Sequence, residues 1–527
     1  MQRMLLRLAA LAIAVLVPLA SVAKEREVAI GLQAAITSFD PHYHNLSPNN
    51  AMMLHVFESL IAREPGGKLV PSLATSWKAV DDLTWEIKLR KNVKWHDGSP
   101  FTADDVVFTL KRIPNVPNSP SSFATFTKPI VDVKVVDPHT ILLKTAAPHV
   151  LMPSDLASFY IVSRLHGEKA TTADYNSGKA AIGTGPYKFV EFVPNSHIVL
   201  KANYGHWAGE QPWDKVTFKI LSNSAARVAA LLSGDVQMIE TVPTSDIAQL
   251  SKDPKFALFD KITNRLIYVH LWQWSDKSPP YVTGKDGKPL DKNPFKDPRV
   301  RKALSIAINR DAIAERIMEK KAVPAGQLLA DSFAGTSRKL KPPKYDPEGA
   351  KKLLAEAGYP NGFALTIHGT NNRYINDDKI AQAIAQFYTR IGLEARVETM
   401  PSSVYFSKAT AGEYGYMLLG WGTESNEQGS ALRSLLATRD PDKGMGVTNR
   451  GRYSNPQMDQ VLGQALVTMD DTKREALIQQ AAEIAMNDTG LIPIHFEVST
   501  WATAKGLRYA ARVDQYTMAM DLKPAGR

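Results

Sequence analysis

Trp421 stands between two glycines. The segment Gly420-Trp421-Gly422-Thr423-Glu424-Ser425-Asn426 follows an apolar run, Tyr414 to Leu419, that reads as a buried strand. In α/β domains ligands gather at the carboxyl ends of strands. An indole at such a place offers an apolar wall, and the acid after it offers one negative charge. The same residues would serve equally as a loop whose Trp packs on its own domain. His42-Tyr43-His44 has the spacing that puts two rings on one face of a strand, where they could share a metal. Pro41 precedes them and no matching set of His and carboxylates stands out, so a loop or pocket position is the expectation. Trp95-His96-Asp97-Gly98 suggests a His–Asp pair, but Asp97-Gly98 is a turn signal and a hairpin tip is expected. Gly183-Thr184-Gly185-Pro186 lacks the Lys-Ser/Thr of a phosphate loop, and Pro186 removes an amide that a phosphate would use. A tight loop is expected there. No nucleophile elbow, Walker loop, His-Glu-x-x-His or dinucleotide fingerprint occurs. Cysteine is absent, which excludes a thiolate nucleophile, Cys-ligated zinc and iron–sulfur clusters.

Strands and helices that could position such residues alternate along the whole chain. Trp85, Ile87 and Leu89 alternate with charged residues, as do Val216, Phe218 and Ile220. Val131 to Val135 and Thr140 to Lys144 form one expected hairpin. Tyr187 to Val193 and His197 to Lys201 form another, turned at Pro194-Asn195. Val300, Ala303, Leu304, Ala307 and Ile308 carry helical spacing behind Asp297-Pro298, a cap with a first-turn proline. Ile380, Ala383, Ile384, Phe387 and Tyr388 repeat it up to Gly392, and Leu477, Ala481, Ile484 and Ala485 make a third helix. The Pro-, Gly-, Lys- and Asp-rich stretch from Asp276 to Asp297 separates the strand-like Leu266 to Trp272 from the next helix. A loop of that length marks a crossing between domains. The return crossing is expected near Gly490-Leu491-Ile492-Pro493.

The chain has 527 residues, more than one hydrophobic core usually serves. Its first residues carry an export signal: Arg3 and Arg7, an apolar run from Leu8 to Leu19, then Ser21-Val22-Ala23. The run is about half the ~20 residues that span a bilayer. A mature chain beginning at Lys24 has no N-terminal Cys for a lipid anchor, so a free periplasmic protein is expected. Loss of Arg3 and Arg7 lowers the formal charge from +10 to +8. The basic residues are scattered, with no Arg-rich arm or aromatic-interleaved basic helix, so nucleic acid is not an expected partner.

Four stretches then carry a resemblance. They are Leu69-Val70-Pro71-Ser72-Leu73-Ala74-Thr75-Ser76-Trp77 running on to Phe101-Thr102-Ala103-Asp104-Asp105-Val106; Gly183-Thr184-Gly185-Pro186-Tyr187; Asp297-Pro298-Arg299-Val300-Arg301-Lys302-Ala303-Leu304 with Ile308-Asn309-Arg310; and Tyr345-Asp346-Pro347 with Ala350-Lys351-Lys352-Leu353-Leu354 and Ala357-Gly358-Tyr359-Pro360. In these the chain resembles the peptide/nickel group of extracellular solute-binding proteins, which serve ABC importers. The resemblance implies an α/β fold of two lobes joined by a hinge, with an extra domain on lobe one. Residues 1–23 would be the signal peptide, 24–70, 184–272 and 490–527 lobe one, 71–183 the extra domain, and 273–489 lobe two. It implies a small-solute or peptide ligand, a permease complex in the inner membrane as partner, no cofactor and no catalysis. In peptide-binding members an Asp shortly after such a Gly-Trp meets the ligand's α-ammonium; here that position is Glu424, one methylene longer. Thr423 lies beside it, and Trp421 and Tyr405 would wall the side-chain spaces. Arg373, beside Tyr374, would pair with a ligand carboxylate or stay a solvated surface residue. Tyr43, His44 and Asn45 would face the cleft from lobe one. The same fold with another ligand stays open. An opine would favour Arg373, a sugar would favour Trp272, Trp274 and Trp421, and a metal chelate would need His44.

Overall fold

The computed structural model describes residues 25–423 and 425–526. The export signal at 1–23 and the acid Glu424 lie outside the described residues.

Local signals account for many elements. The Asp297 carboxylate accepts the Arg299 amide and Pro298 opens the helix Pro298–Ile306, whose Val300, Ala303 and Leu304 are fully buried. Gly392, at φ +89°, follows the end of the helix Asp377–Arg390. The hairpin of Tyr187–Val193 and His197–Ala202 turns with Asn195 at φ +59°, a left-handed value that Asn tolerates. Gly183 and Gly185 press on the carbonyl end of the helix Ser47–Val56. A Cβ on Gly183 would fall 1.7 Å from the Val56 oxygen, so glycine is required there. This tight loop pins His96, which lies 3.0 Å from the Gly185 oxygen and accepts from the Gly183 amide. Asp97 pairs with His166 at 2.7 Å and not with its sequence neighbour.

A twelve-stranded mixed sheet runs through the molecule. On one side Glu27–Leu32 lies parallel to Lys215–Ile220, followed by the hairpin. On the other Ala364–Thr370 lies parallel to both Glu394–Met400 and Tyr416–Gly422. Two long antiparallel strands, Phe256–Leu271 and Ile492–Ala504, join the halves. The result is a mixed α/β fold of two lobes. A separate four-stranded sheet, in the order Ala74–Asp81, Thr84–Leu89, Thr140–Thr145, Ile130–Asp137, shares the first lobe's core: Ile87 and Ile141 pack in one cluster with Val28, Ile30 and Phe218.

The long strands change cores along their length. From Leu266 onward they serve the second lobe on both faces: Ile267, Val269 and Leu271 enter one cluster and Leu266 and Tyr268 another, as the two-residue period of a strand dictates. On the return strand Ile492 and Ile494 enter the first of these clusters and, across a register shift, Phe496 enters the second, whereas Trp501 packs in the first lobe. The boundaries expected at 272/273 and 489/490 lie just beyond the ends of these strands, at Leu271 and Ile492.

Candidate functional site

The change of core coincides with a break in the ladder. Pairing between the long strands is regular up to Ile262 and resumes at Leu266, so Thr263, Asn264 and Arg265 are left to oppose Glu497. The Thr263 hydroxyl donates to the Glu497 carbonyl at 2.9 Å. The Glu497 carboxylate, 3% exposed, accepts from the Ile375 amide at 3.1 Å and from the Gln515 side chain at 3.0 Å, with Arg265 Nε at 3.5 Å. Arg265 Nε also donates to Gln515 Oε1 at 2.6 Å. Burial, and after it the nearby positive charge of Arg373, pull Arg265 below its ordinary value, and Glu497 offsets them. Sequence reading missed this cluster. Its visible signals were an acid inside the apolar run Ile492 to Val498 and the polar triplet interrupting its partner strand.

Beside the break runs Tyr416–Gly422. The strand expected to end at Leu419 continues through both glycines, with Trp421 opposite Leu266 and Gly422 opposite Arg265. Continuous pairing with Arg265–Leu271 extends it. On its other side the ladder with Ala364–Thr370 reaches only Met417, so among the described residues Leu418 to Gly422 have no strand partner there. Tyr374 covers part of this edge: its hydroxyl donates to the Gly420 carbonyl at 3.0 Å, and a Cβ on Gly420 would sit 2.5 Å from the ring. Asp377 fixes the turn that presents Arg373 and Tyr374 by accepting both backbone amides, at 3.1 and 3.2 Å. The half-buried Arg373 guanidinium lies 5.4 Å from the Tyr374 ring centroid and has no ion pair among the described residues. Trp421 Nε1 and the Thr423 hydroxyl are buried without a hydrogen-bond partner. Thr423 itself is held by Asn264, which donates to its carbonyl at 2.9 Å. Arg373, Tyr374, Trp421 and Thr423 are thus gathered at one strand edge by the break.

Two expectations need correction. Tyr405 does not wall a cleft. It is fully buried, with its hydroxyl 3.1 Å from the His368 carbonyl and 3.0 Å from that of Leu418, and its ring stacks on Tyr414. Its helix Ser402–Ala411 has no amphipathic repeat that would have revealed the inward face. Trp272 and Trp274 are not beside Trp421 either. Trp272 lies six residues along the strand from Leu266, about 20 Å at ~3.3 Å per residue.

Tyr43, His44 and Asn45 form a loop on the first lobe. The Asn45 amide donates to the Ser121 carbonyl, Ser119 donates to that of Tyr43, and His44 Nδ1 lies 2.9 Å from the Thr37 hydroxyl. Tyr43 lines a groove of about 800 Å³ with Thr37, Lys111 and Arg112. His42 is buried between the Tyr160 carbonyl and Arg112, which is paired with Asp40, and so cannot share a metal with His44. No hydrogen bond or ring contact joins this loop to the Trp421 group among the described residues.

The model of the bacterial extracellular solute-binding proteins, family 5, matches residues 68–442. The chain belongs to that family. It is 30% identical over 494 residues to the glutathione-binding protein GsiB of Pectobacterium atrosepticum, covering 92% of this chain and 91% of the relative. It is 29% identical over 481 residues to heme-binding protein A of Haemophilus influenzae, covering 85% and 83%. The periplasmic binding protein DppA of Helicobacter pylori, solved with the peptide STSA, has the same fold, with TM-score 0.80 over 95% of this chain and 99% of that one at 23% identity. As a family 5 protein the chain is a solute-binding component of an ABC importer and not an enzyme. No helix among the described residues is long and apolar enough to cross a membrane.

Proposed function

We propose that this family 5 protein captures a short peptide or a peptide-like solute with a free carboxylate in the periplasm and hands it to an inner-membrane permease. One observation carries the reading: three donors with no hydrogen-bond or ion-pair partner among the described residues, the Arg373 guanidinium, Trp421 Nε1–H and the Thr423 hydroxyl, lie along a strand edge that no other described strand occupies. An extended backbone added to such an edge gains main-chain hydrogen bonds without fixing its sequence. A guanidinium binds a carboxylate in a two-pronged fork. Glu424, which follows Thr423, is the proposed acceptor for the ligand's ammonium group. The peptide in the Helicobacter pylori complex and the glutathione of the curated relative are ligands of this kind. Residues 25–262 and 498–526 would make the first lobe, with the extra domain inside 71–183, and residues 266–496 the second. The segment 263–265 with Glu497 would be the hinge, and the Tyr43–Asn45 loop would face the cleft from the first lobe.

Native mass spectrometry of the protein purified from the periplasm, with release of whatever is bound, tests the reading. Short peptides support it; a metal chelate or a sugar overturns it. With a ligand in hand, Arg373→Ala weakens binding about tenfold to hundredfold, the scale of a hydrogen bond to a charge. The same variant leaves affinity for the carboxyl-amidated ligand unchanged. Equal losses for both forms would remove Arg373 as the carboxylate partner.

A further inference from the structure

The far end of the long strand Phe256–Leu271 carries a feature that solute capture does not use. Trp272 and Trp274 lie parallel, 2° apart with centroids 6.1 Å from one another. The Arg452 guanidinium covers the outer indole at 4.1 Å. Trp274 Nε1 donates to the Arg450 carbonyl, and the Arg450 side chain lies 5.6 Å from the Phe406 ring. Arg439 joins them through the same loop by donating to the Val447 carbonyl at 3.0 Å. None of these three arginines has a carboxylate partner among the described residues. Arg450 spends one N–H on Thr410 and Arg452 one on the Asn449 carbonyl. The acid next to Arg439, Asp440, is held by Lys443 at 3.2 Å, while Asp276 near the tryptophans is held by Lys296 and Glu413 by Lys408.

Gathering three cations without a counter-charge is unfavourable in isolation. Burial, Arg439 and Arg450 together push Arg452 down to about 10. Its backbone adds strain, at φ +58°, a left-handed value rare for a long side chain. An arrangement that opposes itself in this way is relieved by an anion from outside. The fringe indicates what kind. Trp274 is 36% exposed, Val447 45% and Tyr281 55%, and Tyr281 follows the Pro279-Pro280 turn that packs on Gly415, whose carbonyl accepts the Trp272 amide. Exposed aromatic and aliphatic side chains set among arginines suit a broad interface, whereas a single small anion needs an enclosed pocket. Tryptophan prefers the level of lipid headgroups, and arginines add attraction to an anionic leaflet.

We propose that this end of the second lobe docks on anionic phospholipid headgroups. It would hold an importer's binding protein, which has no described membrane-spanning helix, close to the membrane that contains its permease.

Sedimentation of the purified protein with phosphatidylglycerol vesicles tests this, with phosphatidylcholine vesicles and inorganic phosphate as the other arms. Binding to the anionic vesicles is expected at about 50 mM salt and is lost at about 0.5 M, where charges are screened beyond a few ångström. Each arginine is worth about fivefold. Arg439→Gln, an exposed change that leaves folding alone, therefore weakens binding about fivefold, and Arg450→Gln with Arg452→Gln about twenty-five-fold. Trp274→Ala keeps every charge and still weakens binding. Lys88→Gln with Lys144→Gln, on the four-stranded sheet, removes the same charge elsewhere and has no such effect. The proposal is overturned if the protein ignores anionic vesicles at low salt, or if the Lys88/Lys144 variant loses as much as the arginine variants. Binding of inorganic phosphate without binding of vesicles also overturns it, by moving the anion into solution.

Discussion

Thr423 separates binding from stability more cleanly than any other residue of the site. Its hydroxyl is buried and makes no hydrogen bond among the described residues, while its backbone is fixed by Asn264. Thr423→Val removes the hydroxyl and keeps the shape. The melting temperature is expected to stay level or rise slightly, because a buried polar group without a partner disappears. Ligand affinity is expected to fall several-fold when measured by calorimetry. Unchanged affinity would mean that the hydroxyl serves no ligand. At this scale the sequence marked residue types well and surroundings poorly. Gly-Trp-Gly drew attention to Trp421, and a side chain at Gly420 would collide with the Tyr374 ring. Nothing in the residues around Tyr405 showed that its ring is enclosed by Tyr414 and by two backbone carbonyls from separate strands.

The two long strands decide where the site is. Their ladder breaks at Thr263 to Arg265, and the gap is filled by Glu497, Gln515 and the turn before the helix Asp377–Arg390. Three elements distant in sequence meet on one buried carboxylate. Glu497→Ala leaves Arg265 buried without its counter-charge and is expected to cost about 3–5 kcal/mol, the usual penalty for breaking a buried pair. Glu497→Gln removes the same charge while keeping the shape and the contact to the Ile375 amide, so it is expected to cost most of that amount. Denaturant unfolding of both variants checks this, and a Glu497→Gln variant as stable as the wild type would deny the ion pair its role. Helices such as Pro298–Ile306 were legible because cap, first-turn proline and apolar spacing lie within a few residues of one another. The strand end at Leu419 was misplaced because extension through Gly422 depends on a partner more than 150 residues away.

Across the whole molecule, histidine burial ties stability to pH. Burial holds His42, His270 and His495 down to about 3 and His55 to about 4. These folded values lie below the unfolded value of about 6.5, so the unfolded chain takes up protons first as the medium is acidified. The stability they confer is complete above pH ~6.5 and declines as pH falls toward the folded values. Each contributes about 1.4 kcal/mol per pH unit in that window. Buried acids held above their ordinary range, Asp155, Glu240 and Glu427 among them, act in the opposite sense, so a difference measurement is needed. Replacing His270, which is fully buried, with Gln removes one such group. The stability gap between wild type and His270→Gln should shift by about 2 kcal/mol in favour of the variant between pH 7.5 and pH 5. A gap constant over that range would show that His270 protonates freely in the fold.

The sequence by itself determined the elements whose signals are local: capped helices, turn-bounded hairpins, the glycine loop against Val56. Its four family stretches determined the family and the two-lobed α/β architecture. The tertiary structure alone decided which charges meet and which rings are enclosed. It set Glu497 against Arg265, hid Tyr405 and placed Trp274 under Arg452 at the end remote from Trp421. The reason is physical: a cap or a turn is satisfied by neighbours within four or five residues, whereas the surroundings of a buried charge or ring come from strands brought together across hundreds.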